Sequence, residues 1–436
     1  MQVPPQREIP GPRSAELLAI SAASEPPCAA DQLPIVWDHA ERVWITDVDG
    51  NRYLDFTSGV LVTNVGHSHP KHVEAIQQQA ARLMNCYSFP TPERVILSQR
   101  VLETLPPNLN RVFLLSTGSE ATEAAIRVAK RYTGKFEILS FWGAFHGRTY
   151  GAMSVAGTMK TRYHFGPSVP GAVLAPYPYC YRCPYDKQPE DCGFYCIDML
   201  DRVIESASTG DVGAVMVEPY QGASGFIFPP DGWLKALEEW AGERDLLLIV
   251  DEVQASFGRT GRMYAIEWED VRPQMLCLGK GFGSGMPTSA LVAEDQILAA
   301  MKTGELSSTW GGNPLASAAS LAVLDIMAEE NLPQNAEEVG AHLKKRLLAL
   351  GEKYDCLGDV RGKGLVLGLE FVKEGKTPAP ELTGQVVFAA AERGLMLGKL
   401  GIYGNVIRVA PPLVITRDEA DVGVDILDRA IASVLD

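Results

Sequence analysis

Lys280 stands in the stretch CLGKGFGSGMP (277–287), with four glycines and apolar neighbours around it and no acid among these eleven residues. In apolar surroundings an ammonium is disfavoured relative to the neutral amine. A neutral amine attacks carbonyl carbon to give a Schiff base. The glycines let backbone or a flat ligand come close. The competing reading is a strand-end lysine whose stem lies on apolar surface while its head reaches water.

Other reactive side chains also follow apolar runs, and in α/β sheets ligands bind beyond the carboxyl ends of strands. Asp251 closes LLLIVD and Glu218 closes GAVMVE. A carboxylate at such a place has little water and needs a cationic partner. A structural ion pair or a metal ligand would serve Asp251 as well as a ligand would. In STGSEATEAAIRVAKR, Thr117 and Glu120 form a capping box, and Gly118 and Ser119 open a helix. Free N–H groups and a positive dipole end suit a phosphate there, although an ordinary capped helix reads the same way. WGAFHGRTYGAM puts Phe145 and His146 in a loop after a strand. Phe145 can stack on a flat ring and Arg148 can hold a carboxylate. A core aromatic and a surface arginine would leave the same letters. Together these stretches supply a phosphate cup, a ring stacker, a buried acid and an amine nucleophile. Those are the four needs of pyridoxal 5′-phosphate.

Something must hold these stretches side by side. Apolar runs at 111–115, 137–141, 213–217, 246–250, 275–279 and 289–293 alternate with helical patterns. Several are apolar throughout, as strands covered on both faces must be. An α/β fold with a largely parallel sheet is predicted. Upstream, VWITDVDGNRYLDF reads as a hairpin about Asp49-Gly50, and the first thirty-odd residues, rich in Pro, Ala and Ser, read as an arm. From Asn313 the spacing predicts two long helices, a strand at 364–372, a helix stopped by Gly394 and a last helix at 418–435. This tail forms a second, smaller α/β layer. The expected division is an arm and hairpin at 1–64 packing with the small domain, a large domain at 65–312 and a small domain at 313–436.

Bulk properties narrow the classes. The 436 residues exceed one ordinary core. A net charge of −15 with no basic stripe argues against a nucleic-acid partner. No apolar run approaches the ~18 residues of a membrane span, and the start lacks the apolar segment of a secretory signal, so no membrane partner and a cytoplasmic location are expected. Four of the eight cysteines, Cys180, Cys183, Cys192 and Cys196, share a C-x2-C-x8-C-x3-C spacing. Zinc, an iron–sulfur site, disulfides and free thiols are all compatible with it, and no metal is assigned.

The chain resembles the class III aminotransferases, fold type I enzymes of pyridoxal 5′-phosphate, over nearly its whole length. YLDFTSG, GHSHP, STGSEATEAAIRVAK, FHGRT, EPYQG, DEVQASFGRTG, LGKGFGSGMP, STWGGNPLASAA, DVRGKGLVLGLEF and VIRVAPPL carry the likeness, in the family's order. The resemblance implies that Lys280 holds the cofactor as an aldimine and that Asp251 pairs with its pyridine nitrogen. It puts Phe145 and Val253 on the two ring faces, Gln254 near the ring oxygen, and Thr117, Gly118 and Ser119 about the phosphate. His146 and Glu218 complete that surround. Thr309 would reach the phosphate of a neighbouring subunit, which implies a homodimer or a dimer of dimers. Arg408 would take a substrate α-carboxylate. The reaction implied moves an amino group from an amino acid or amine donor to a 2-oxo acid. Three positions depart from relatives within the class. Val60 stands where dialkylglycine decarboxylase has a glutamine, and Phe145 where it has a tryptophan. Ala223 stands where 4-aminobutyrate and ornithine enzymes have a glutamate that switches the carboxylate arginine off. Arg148 matches the arginine that binds the far carboxylate in 4-aminobutyrate enzymes. The resemblance leaves a 4-aminobutyrate-type ω-amino acid transaminase open as an alternative, and racemase, lyase and dialkylglycine-type decarboxylase chemistry share the same constellation.

Overall fold

A computed structural model describes residues 8–26, 28 and 32–436. The rest of the arm predicted at the N-terminus lies outside the described residues. Within it, Pro12–Ser24 is a helix, which the Pro-, Ala- and Ser-rich composition did not announce. Its first turn is held from the hairpin. Asp49 accepts from the backbone N–H of Arg13 (2.8 Å) and Ser14 (2.9 Å) and from the Ser14 hydroxyl (2.5 Å). A carboxylate there satisfies free N–H groups and complements the helix dipole.

The central sheet has seven strands. Across the sheet they run Arg111–Leu115, Ser289–Ala293, Met275–Leu278, Leu247–Asp251, Val212–Val217, Glu137–Phe141 and Ala172–Ala175. Only Ser289–Ala293 runs against the others. The six predicted strands are present, with Asp251 drawn into its strand as the last residue. The short edge strand Ala172–Ala175 was missed.

The apolar runs are continuous because both faces are buried. Ala214, Met216, Leu247, Ile249, Met275 and Cys277 pack on one side, against Ala121, Ala125 and Val128 of the helix Gly118–Thr133. Val215, Val217, Leu248, Val250, Leu276 and Leu278 point the other way, into the larger core. Alternate residues serve opposite layers, as the period of two requires. Each fully buried aliphatic side chain stabilises by roughly 1.5–3 kcal/mol. A charge at Met216 would therefore break the packing of helix on sheet.

The helix Gly118–Thr133 starts at the predicted capping box and ends at Gly134, whose φ of 70° suits a residue without a Cβ. The hairpin strands Trp44–Asp47 and Arg52–Asp55 pair as predicted, and Trp37–Glu41 and Leu395–Met396 extend them into four strands. A third sheet joins Leu357–Lys363, Val366–Phe371, Val406–Val409 and Gly398–Leu400, all antiparallel. The predicted helices after Asn313 form at Pro314–Glu329, Leu332–Lys353, Pro380–Glu392 and Arg417–Leu435. Among the described residues no helix is long and apolar enough to cross a membrane.

Candidate active site

Five parallel strands end around one cavity of about 330 Å³. Thr117, Gly118 and Ser119 follow the strand at 111–115. The others bring Phe145 and His146, Glu218, and Asp251 with Val253 and Gln254. Lys280 and Ala223 complete the predicted members of the lining. Lys280 has φ of 45° just past Met275–Leu278. That left-handed conformation turns the chain sharply at the strand end.

The electrostatics shift Lys280 toward the neutral amine. Burial lowers its pKa, opposed by the charges of Asp251 and Glu218 and assisted by Arg408. Asp251 is buried and its Oδ2 lies 2.8 Å from His146 Nδ1, while Oδ1 accepts from the Val253 N–H at 3.0 Å. Burial alone would depress the His146 imidazolium. The bond to Asp251 and the charges of Asp251 and Glu218 outweigh it, and its pKa is raised. Sequence spacing offered no sign of this pair, since 105 residues separate its members. Burial pushes the Glu218 carboxyl up to about 7, with the Asp251 charge adding to it and His146 opposing. Glu218 accepts from the N–H groups of Phe145 (2.9 Å) and Gly222 (3.0 Å), so it holds two walls of the cavity together.

Ser116, Tyr220, Val62, Met286 and Thr288 also line the cavity and were not predicted. The Ser116 hydroxyl and Gln254 Oε1 are buried with no partner among the described residues. Orphaned polar groups beside a cavity are unusual. A Cβ at Gly118 would meet Val253 Cγ1 at 2.7 Å, so only glycine keeps that corner open. A helix N-terminus, unpaired acceptors and an apolar wall together fit a flat, phosphate-bearing cofactor.

Four predicted residues stand outside the lining. Thr309 is exposed. Arg148 is exposed too, its guanidinium 5.7 Å from the centre of the Phe145 ring. Val60 is 43% exposed, within a single turn, Ser58–Leu61, whose φ values are 48°, 55°, 70° and 61°. A left-handed turn costs each non-glycine residue roughly 1–2 kcal/mol, so the surrounding bonds must impose it. Arg408 is buried on the strand Val406–Val409, opposite Gly368 and Gly398. A Cβ at Gly398 would meet its Nη2 at 2.3 Å. Its Nε has no partner, and no ion pair reaches its guanidinium among the described residues. Burial pushes Arg408 down to about 10, opposed by the charge of Asp55.

The four clustered cysteines are free thiols. No group of three or more His, Cys, Asp or Glu is placed to hold a metal among the described residues. Arg182, between Cys180 and Cys183, instead donates to the buried Glu370 at 2.6 Å.

The profile of the family Aminotransferase class-III matches residues 27–431. An alanine/serine racemase of Pyrococcus horikoshii is 36% identical over 98% of this chain and 92% of its own length. A 4-aminobutyrate aminotransferase of Mycobacterium leprae is 36% identical over 97% of each chain. Among solved structures, an (S)-enantioselective omega-transaminase from Thermomicrobium roseum superposes with a TM-score of 0.91, at 32% identity, over 97% of this chain and 99% of that one. The chain therefore belongs to the class III aminotransferases, fold type I enzymes that depend on pyridoxal 5′-phosphate.

Proposed function

We propose that the enzyme moves an amino group from an α-amino acid, or an amine without a second charge, to a small 2-oxo acid. Bound pyridoxal 5′-phosphate supplies an electrophilic carbonyl carbon and an electron-withdrawing ring. Thr117, Gly118 and Ser119 hold its phosphate end, and Phe145 and Val253 flank its ring. Gln254 faces its ring oxygen, and Asp251, oriented by His146, faces its ring nitrogen. Lys280 Nζ holds the carbonyl end and then carries the proton at the donor's α-carbon. Arg408 clamps a substrate carboxylate with its two-pronged donor set. Val60, Ala223 and Arg148 bound the space left for the rest of the substrate. Thr309 serves the phosphate of a second subunit in a homodimer.

One observation carries transamination over racemisation. Of the titratable side chains lining the cavity, only Lys280 is uncommitted among the described residues. Asp251 and His146 bond each other, Glu218 accepts two backbone N–H groups, and the Tyr220 hydroxyl donates to the Gln254 carbonyl. Moving a proton along one face needs one base. Inverting a centre needs proton transfer on both faces. Racemisation stays as the second reading because an alanine/serine racemase and a leucine/methionine racemase are similar over more than nine-tenths of the chain. Incubation with L-alanine, with and without a second 2-oxo acid, separates the two. Pyruvate formed beyond one equivalent per active site only with the acceptor supports transamination. D-alanine formed at a comparable rate without it would replace that reading.

A further inference from the structure

Arg408 and Arg259 are buried guanidiniums, and Asp55 is a buried carboxylate whose charge acts on both. Asp55 forms an ion pair with neither. Its Oδ1 accepts from the Thr57 N–H (2.7 Å), the Thr57 hydroxyl (2.7 Å) and the Ser58 N–H (3.2 Å). Its Oδ2 lies 2.8 Å from His67 Nε2. These bonds impose the left-handed turn at Ser58–Leu61, beside Val62 of the cavity wall. The same segment is tied to the strand of Arg408. Ser58 Oγ donates to the Ala410 carbonyl at 2.6 Å, and the Ala410 N–H to the Phe56 carbonyl at 2.8 Å. Across the cavity, position 223 offers only a methyl group.

We infer that Asp55 is a positioning and specificity-determining residue. It is a fixed counter-charge, restrained by His67, that lets Arg408 receive a substrate carboxylate or remain unpaired beside an amine that has none. The inference rests on the proposed role of Arg408. A buried negative charge stabilises a nearby free guanidinium through space and repels an incoming carboxylate. With Oδ2 held by His67, the carboxylate does not close on the guanidinium and block it. A static group would thus do the work of a movable gate.

The test uses the holoenzyme. Asp55→Asn keeps Oδ1 as acceptor for the turn and offers an amide to His67, so charge is removed and shape kept. Relief of repulsion should lower KM for a 2-oxo acid about three- to tenfold and raise KM for a carboxylate-free amine by about the same factor, with kcat nearly unchanged. His67→Leu releases Oδ2 toward Arg408 and should shift both KM values the opposite way. Calorimetric titration with propionate should show tighter binding in Asp55→Asn than in wild type. Once Arg408→Gln is added to each, the two proteins should bind propionate equally. Changes of the same sign for both substrates, as general damage would give, overturn the inference, as does an unaltered propionate affinity. If Asp55→Asn does not fold, His67→Leu decides by the same two readouts. A wild-type enzyme that ignores 2-oxo acids sinks the transamination reading, and the propionate titration still judges Asp55.

Discussion

The two ends of the site bury charge of opposite sign and treat it differently. At the strand ends the buried groups are acids, and the chain supplies their partners. Asp251 has His146 and the Val253 N–H, Glu218 has two backbone N–H groups, and Glu252 accepts from the N–H groups of Ala265 and Ile266, both at 2.8 Å. At the other end the buried groups are arginines, and they divide. Arg259 donates to the carbonyls of Leu365 (2.9 Å) and Pro411 (2.6 Å), to Asn64 Oδ1 (2.8 Å) and to the Ser58 hydroxyl (3.3 Å). Arg408, a short length of strand away from that cluster, is left open. Burying an unpaired charge is costly. A guanidinium bonded by the chain is therefore part of the fold, and one left open is the one proposed to meet a substrate carboxylate.

Substitutions can break that distinction. The largest effect is expected at Lys280, the other uncommitted basic side chain. Lys280→Ala should lower turnover roughly 10³-fold or more, because carbonyl attachment and proton transfer go together. Its melting temperature without cofactor should stay near wild type. A near-normal rate in steady-state assays would remove Lys280 from the chemistry.

The two arginines give the sharper contrast. Arg259→Met leaves buried carbonyls without donors and should cost roughly 3–5 kcal/mol of stability, read from chemical denaturation. Arg408→Met should leave stability within about 1 kcal/mol of wild type and raise KM for a 2-oxo acid roughly 10- to 100-fold, the worth of a charged hydrogen-bonded contact. Equal stability losses in the two variants would erase the distinction.

The smallest effect concerns the acids. Burial raises Glu218 to about 7 and Glu252 to about 8, from an ordinary value of 4.5. A raised folded-state pKa means that the folded protein binds more protons than the unfolded chain. The stability these groups contribute is full below about pH 4.5 and is lost as pH rises through about 7 and 8. The melting temperature should decline across that window, and Glu252→Gln, which cannot titrate, should flatten the decline. An unchanged slope would show that Glu252 does not titrate there.

The legible parts of this chain are those in which neighbours in sequence satisfy one another. The capping box at Thr117 and Glu120 appears as predicted because both partners lie within one helical turn. The apolar strands appear because burial on two faces leaves no room for other residue types. Leu357–Lys363 was missed because it reads as charged, and its Arg361 finds Asp359, Glu370 and the Gly225 and Phe226 carbonyls only after folding. The turn at Ser58–Leu61 was illegible for a related reason. Three of its residues are not glycine, and the local bonds of Asp55 act together with distant ones to Ala410 and Arg259 in holding them at positive φ.

The sequence by itself determined the residue types at the strand ends, the glycines that allow close approach, and the order of motifs that marks the family. Those properties are local, set by side-chain chemistry and by hydrogen bonds spanning a few residues. Tertiary structure alone decided that His146 partners Asp251, that Asp55 is held by His67, and that Arg259 is bonded through both terminal nitrogens while Arg408 is buried with no bond to its guanidinium among the described residues. The letter R is the same in both places. Whether a buried cation is bonded by the fold or left open depends on which carbonyls and carboxylates the folded chain brings within about 3 Å of it, and that distance is not written along the chain.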